Sequence, residues 1–171
     1  MTAPTNIRPA AANVRAIVAR FADGRTIKGT THDFAPDKDI FHVYVDGDES
    51  KPAVTIRISA LKAIFFVKTY QGDSSYVEDK SFRPGADQGR RIRVIFKDKE
   101  EIAGFAPGSV AGRSGFFVLP VDRASNNSRI FIVHAAVAKK EFPSKDAEPK
   151  VDADATDPSP VAAAGGAKGR G

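Results

Sequence analysis

The chain contains no cysteine, no tryptophan and a single methionine. Without cysteine there is no disulfide framework, no thiolate metal site and no cysteine nucleophile, which is consistent with a reducing compartment. No stretch approaches the length of a membrane span, and the opening "MTAPTNIRPAAANVRAIVARF" lacks the continuous apolar run of a secretory leader. The expectation is a cytoplasmic protein with no membrane partner. Catalytic patterns are equally scarce. His32, His42 and His134 fall on different predicted elements without ligand spacing, so no metal is expected. There is no Gly-x-Ser-x-Gly elbow and no glycine loop followed by Lys-Ser or Lys-Thr. Glu100 and Glu101 sit on a predicted hairpin where nothing separates their acidities. Together these absences point to a non-enzyme without a cofactor.

What the sequence does contain is a weak internal repeat. At a constant offset of 75 residues (Arg15 to Arg90), Arg15, Ile17, Phe21, Asp23, Ile27, Gly29, Phe41, Val43, Ala60 and Ala63 meet identical residues, ending with Ala138. The coincidences fall on turn, strand and core-type positions, as duplication of one structural unit predicts. In each copy an alternating strand, "VRAIVARF" or "RRIRVIF", runs into a turn: Asp23-Gly24 in the first copy and Asp98-Lys99 in the second. Four further short strands follow, with one turn, "SALK" or "HAAV", between the fourth and fifth. Five strands per copy predict an all-β protein of two tandem, strongly bent, SH3-like or Sm-like barrels. Gly29 and Gly104 are then structural, placed where a tightly curved second strand cannot carry a side chain.

The organisation that follows is a flexible arm over 1–13, a first barrel over 14–69, a linker over 70–89, a second barrel over 90–142 and a disordered tail over 143–171. The tail is rich in Pro, Ala, Gly and Asp and nearly free of large apolar groups. The linker holds two tyrosines and Phe82, enough to pack across a barrel. A net charge of +5 and a pI near 9.5 permit attraction to nucleic acid.

Two candidate surfaces emerge. The fifth strand of copy one, Ile64, Phe65, Phe66 and Val67, is apolar on both faces, so either copy two covers it or a partner strand adds to it. Lys139 and Lys140 at the equivalent place discourage the same event in copy two. The alternative is a nucleic-acid surface built from Arg90, Arg91, Arg93 and His134. On a strand, Arg91 and Arg93 share a face and Arg90 does not.

The run Val14 to Val45 resembles the first motif of the Sm and Lsm family, and "IFIVHAAVAKKEFPS" is similar to the last two strands of its Hfq-like bacterial RNA chaperones. That resemblance implies a small β-barrel and an RNA-binding role, with His134 carried over at the turn. The base-binding asparagine of the Sm signature has no counterpart in "DKDIFHV" or "GRSGFFV". The whole chain also looks similar to an uncharacterised delta-proteobacterial domain often found beside PilZ or receiver modules, which implies bacterial signalling. The Arg-x-x-x-Arg and Asp-x-Ser-x-x-Gly elements of a PilZ nucleotide site are absent from the sequence. The function expected is a non-catalytic protein-binding adaptor, with Sm-like nucleic-acid binding as the alternative.

Overall fold

A computed structural model describes residues 14–85 and 87–145. The expected arm and all but the first three residues of the expected tail lie outside that range. Ten strands form: β1 (Arg15–Phe21), β2 (Thr26–Thr31), β3 (Ile40–Val45), β4 (Val54–Arg57), β5 (Leu61–Val67), β6 (Arg90–Phe96), β7 (Glu101–Ala106), β8 (Gly115–Pro120), β9 (Asn127–Val133) and β10 (Val137–Glu141). Single 3-10 turns, Ile58–Ala60 and His134–Ala136, link β4 to β5 and β9 to β10. The protein is all-β. Its strands make one antiparallel sheet in the order β10-β6-β7-β8-β9-β5-β1-β2-β3-β4.

Each half runs in the order fifth, first, second, third, fourth strand, but the halves are not the separate closed barrels expected from the sequence. β5 bonds β1 on one side and β9 on the other. The sheet therefore continues unbroken from one half into the next and ends on β4 and β10. The reason lies in two strands that carry apolar side chains on both faces. Along β5, Ile64 and Phe66 join a core with Ile17, Ala19, Phe41, Val43 and Ile56, while Ala63 joins a second core with Ile92, Val94, Phe96, Phe116 and Val118. β9 divides the same way, Phe131 and Val133 to the first core and Ile130 and Ile132 to the second. Successive side chains on a strand point to opposite faces, so a pair of such strands serves two cores at once.

Of the two expectations for Ile64 to Val67, cover by the second half and addition of a partner strand, the pairing of β5 bears on the first. Both hydrogen-bonding sides of β5 are occupied, and the second half of the chain supplies the neighbour. The seam is sealed on the first core's side by aromatic rings. Phe34, in the loop after β2, meets Phe41, Phe66 and Phe131 edge-on at centroid distances of 5.2, 5.5 and 5.2 Å.

The two copies build the same first hairpin. Phe21 N donates to Arg25 O at 2.8 Å and Arg25 N to Asp23 Oδ1 at 3.0 Å; Phe96 N donates to Glu100 O at 2.9 Å and Glu100 N to Asp98 Oδ1 at 3.0 Å. The turn needs a positive φ at its third residue. Gly24 takes +96° without strain, and Lys99 is held at +73°. Gly29 and Gly104 answer to a different need. Their φ values are ordinary, but a Cβ on Gly29 would run into the Tyr44 carbonyl and Val43, and one on Gly104 into the Leu119 carbonyl and Val118. There β2 and β7 pass against the following strands at backbone distance.

Two stability measurements check this account. Gly29→Val and Gly104→Val are each expected to lower the urea midpoint by the equivalent of about 1–3 kcal/mol, through overpacking against backbone; an unchanged midpoint in either contradicts the close approach. Lys99→Gly is expected to raise stability by about 1 kcal/mol by relieving the left-handed conformation, and a loss of stability would show that the Lys99 side chain matters more than its backbone.

Candidate partner-binding groove

Because Ile17, Ala19 and Phe21 point into the first core, Val18 and Arg20 emerge on the opposite face of β1. Val18 stands directly between Lys28 of β2 and Phe65 of β5. These residues, with Val67, floor a groove of about 670 Å³. Val18, Phe65 and Val67 are half-buried, and neither Val18 nor Val67 belongs to a core cluster.

The far wall is built by the chain leaving β5 and by the loop between β8 and β9. Lys68 Nζ donates to the Arg123 and Ser125 carbonyls at 2.9 and 2.7 Å, and the Asn126 amide clasps Thr69, donating from Nδ2 to its carbonyl at 2.8 Å and accepting from its N–H at 3.1 Å. Farther along, the Tyr76 hydroxyl donates to Asp122, which also accepts from the Asp79 N–H at 3.0 Å. The bond to the Asp122 carboxylate pushes the Tyr76 phenol up to about 12. Tyr70 stands nearby with its hydroxyl buried and unpartnered, as is the Thr30 hydroxyl.

Residues 13–142 match a family of unknown function, DUF6982. The chain belongs to the DUF6982 family. All ten strands, both cores and the groove fall within the DUF6982 match. No curated protein and no solved structure matches the chain.

The structure separates the sequence-predicted site residues. Of the apolar strand, Ile64 and Phe66 are buried in the first core, while Phe65 and Val67 line the groove. The four residues of the expected nucleic-acid surface each have local partners. Arg91 is buried, with Nε donating to Asp87 at 2.9 Å and its guanidinium 5.4 Å from the Phe82 ring. Arg90 stacks 3.6 Å from the Phe142 ring, and Arg93 reaches Glu101 at 3.4 Å. At His134, Lys140 donates to Nδ1 at 3.2 Å, so the ring carries its proton on Nε2, which donates to the Gly112 carbonyl at 2.8 Å. Among the described residues no group of His, Asp and Glu is placed to hold a metal ion, and no helix is long and apolar enough to cross a membrane.

A charge cluster that sequence reasoning missed lies beside the groove and reaches it through Arg20. Arg20 donates from Nη1 to Glu100 at 3.0 Å, and the buried Lys62 ammonium donates to both Asp98 and Glu100 while resting 4.6 Å from the Phe96 ring centre. β1 and β5 of the first half are thus tied to the β6–β7 hairpin of the second. The signal was a lone lysine in "LKAIFFV" facing an acidic turn, "DKE", in the other copy. The Lys62 bond, then the Glu100 N–H, hold the Asp98 carboxyl below its usual range. For Glu100, burial acts upward, and the Lys62 and Arg20 contacts more than offset it.

Both carboxyls are depressed in the folded state, so their contribution is present above the ordinary carboxylate range of about pH 4 and is lost as pH falls through the folded values. Asp98→Asn/Glu100→Gln should therefore flatten the acid limb of the stability curve. At pH 7 it should cost about 3 kcal/mol by leaving Lys62 buried without a counter-charge, and adding Lys62→Met should recover most of that. A double variant as stable as the parent at pH 7 contradicts the buried clamp.

Proposed function

We propose that this DUF6982 protein is a non-catalytic adaptor or regulatory module, and that it holds an extended segment of a partner protein in the groove over β1, β2 and β5. The observation that carries the reading is the half-exposed apolar floor, Val18, Phe65 and Val67, inside a walled groove whose size is that of a ligand site. Alternate side chains of an extended peptide fit such a floor. Lys28 at its margin has no ion pair among the described residues and favours an acidic neighbour in the partner. The strand order of each half supports reading both as SH3-like or Sm-like units opened to share a sheet. The resemblance of the sequence to domains found beside PilZ and receiver modules supports a role in bacterial signalling.

A second reading, Sm-like nucleic-acid binding, draws on a cleft of about 310 Å³ between the two 3-10 turns. It is lined by Arg57, Ser59, Arg113, Ser114 and His134, with Asp39 paired to Arg113 at 3.2 Å. It replaces the earlier arginine set, of which Arg91 is buried. In this reading single-stranded RNA affinity falls with log salt by a slope of about −0.7 per phosphate neutralised, and Arg57→Ala/Arg113→Ala abolishes it.

Affinity capture from the native cell lysate, with and without nuclease, distinguishes the two. The adaptor reading expects a protein retained after nuclease treatment and lost with Val18→Asp/Val67→Asp, whose melt should shift by no more than about 1 kcal/mol, since neither valine is in a core. Retention by the double variant contradicts the groove. Loss of every partner on nuclease treatment favours the RNA reading.

A further inference from the structure

The groove over β1, β2 and β5 is lined by the charged side chains of Arg20, Lys28, Lys68, Asp73 and Glu78. Most of these are engaged. Arg20 pairs with Glu100, Lys68 Nζ donates to the Arg123 and Ser125 carbonyls, and Asp73 accepts from the Ser75 N–H at 2.9 Å and from its hydroxyl. Lys28 and Glu78 are not: among the described residues neither side chain has a hydrogen bond or an ion pair. Lys28 is exposed on β2, directly opposite Val18 of the floor. Glu78 is half-buried on the far wall, between Tyr76 and Asp79, which both bond to Asp122. Charges of opposite sign therefore line one groove without meeting, and the half-buried carboxylate favours a cation beside it.

The polar groups left over have a second component. The side-chain amides of Gln71 and Asn127 also line the groove, and among the described residues neither bonds to a protein group. Each amide offers both donors and an acceptor, as an extended backbone requires. β1 and β5 are bonded on both sides, so no strand can add to them here. An occupant of this face meets side chains, and the hydrogen bonds its backbone needs come from groups such as these amides. A purely apolar ligand would use the floor and leave Lys28, Glu78 and both amides without partners.

We propose that the groove selects a peptide segment in which an acidic and a basic residue flank an apolar pair. The apolar pair covers Val18, Phe65 and Val67, the acid meets Lys28, the base meets Glu78, and Gln71 and Asn127 bond the backbone. The inference rests on the adaptor reading and adds the chemistry and orientation of its occupant. Entered the other way round, the same segment sets like charges together at both margins, which opposes binding.

A displayed library of random peptides, selected against the full chain, tests this. The expected result is enrichment of sequences with one acid and one base on either side of two apolar residues. Lys28→Glu should weaken these peptides by about tenfold or more, and replacing their acid by lysine should restore binding to that variant. Glu78→Lys should show the same behaviour toward the basic residue. Enriched peptides that lack the charges, or that bind Lys28→Glu as well as the parent, overturn the inference; if Val18→Asp/Val67→Asp still releases them, the groove itself stands. No enrichment, or peptides retained by Val18→Asp/Val67→Asp, overturns the groove reading and this inference with it.

Discussion

The pairing of β5 with β9 is the constraint on which the rest of the protein depends. Each strand is apolar on both faces, "AIFFV" against "RIFIV", and each therefore needs two cores rather than one. Joined edge to edge, the pair serves the first core with Ile64, Phe66, Phe131 and Val133 and the second with Ala63, Ile130 and Ile132. Neither half has enough chain to make a large core by itself, and small units of that size bury a low fraction of their surface. Sharing the two most apolar strands gives each half a wall that it could not build alone. The Lys62 clamp and the Phe34 ring cluster fasten the same junction outside the strand pair itself.

Among the described residues the sheet ends on β4 and β10, and these ends are unlike its middle. At the offset of the repeat, Ile64, Phe65 and Phe66 become Lys139, Lys140 and Glu141 on β10, and Ile130 and Ile132 become Thr55 and Arg57 on β4. Polar and charged side chains on terminal strands oppose the addition of further strands. The two halves thus differ in pattern, apolar where they meet and charged where they end. Their outer faces differ as well. The second half's is covered by Phe82 and the buried Arg91, whereas the first half's holds the groove.

The sequence made the strands legible, because alternation and turn chemistry are local properties. "VRAIVARF" and "RRIRVIF" read as half-buried strands and are β1 and β6; the glycine in each second strand marked the close backbone approach at Gly29 and Gly104. What local pattern could not convey was which edges meet. A strand apolar on both faces is compatible with a waiting edge and with a central seam, and only the geometry of β9 decides between them. Charge was misleading for a related reason. Arg91 reads as a surface cation by residue type, but its ion pair with Asp87 and its packing on Phe82 come from a linker whose path the pattern leaves open. Of the groove, Phe65 and Val67 were visible as apolar residues in an apolar strand. Val18 and Tyr70 were not, because their exposure depends on which half covers which face.

Native-state hydrogen exchange across β5 and β9 tests the shared seam most directly. If the two cores form one cooperative unit, the amides bonded between these strands exchange only by global unfolding, with the same opening free energy and denaturant dependence as the most protected amides of β1 and of β6. A sub-global opening that releases β6 to β10 while β1 to β5 stay protected would contradict the account, since it would mean that the first core stands without the strand it borrows.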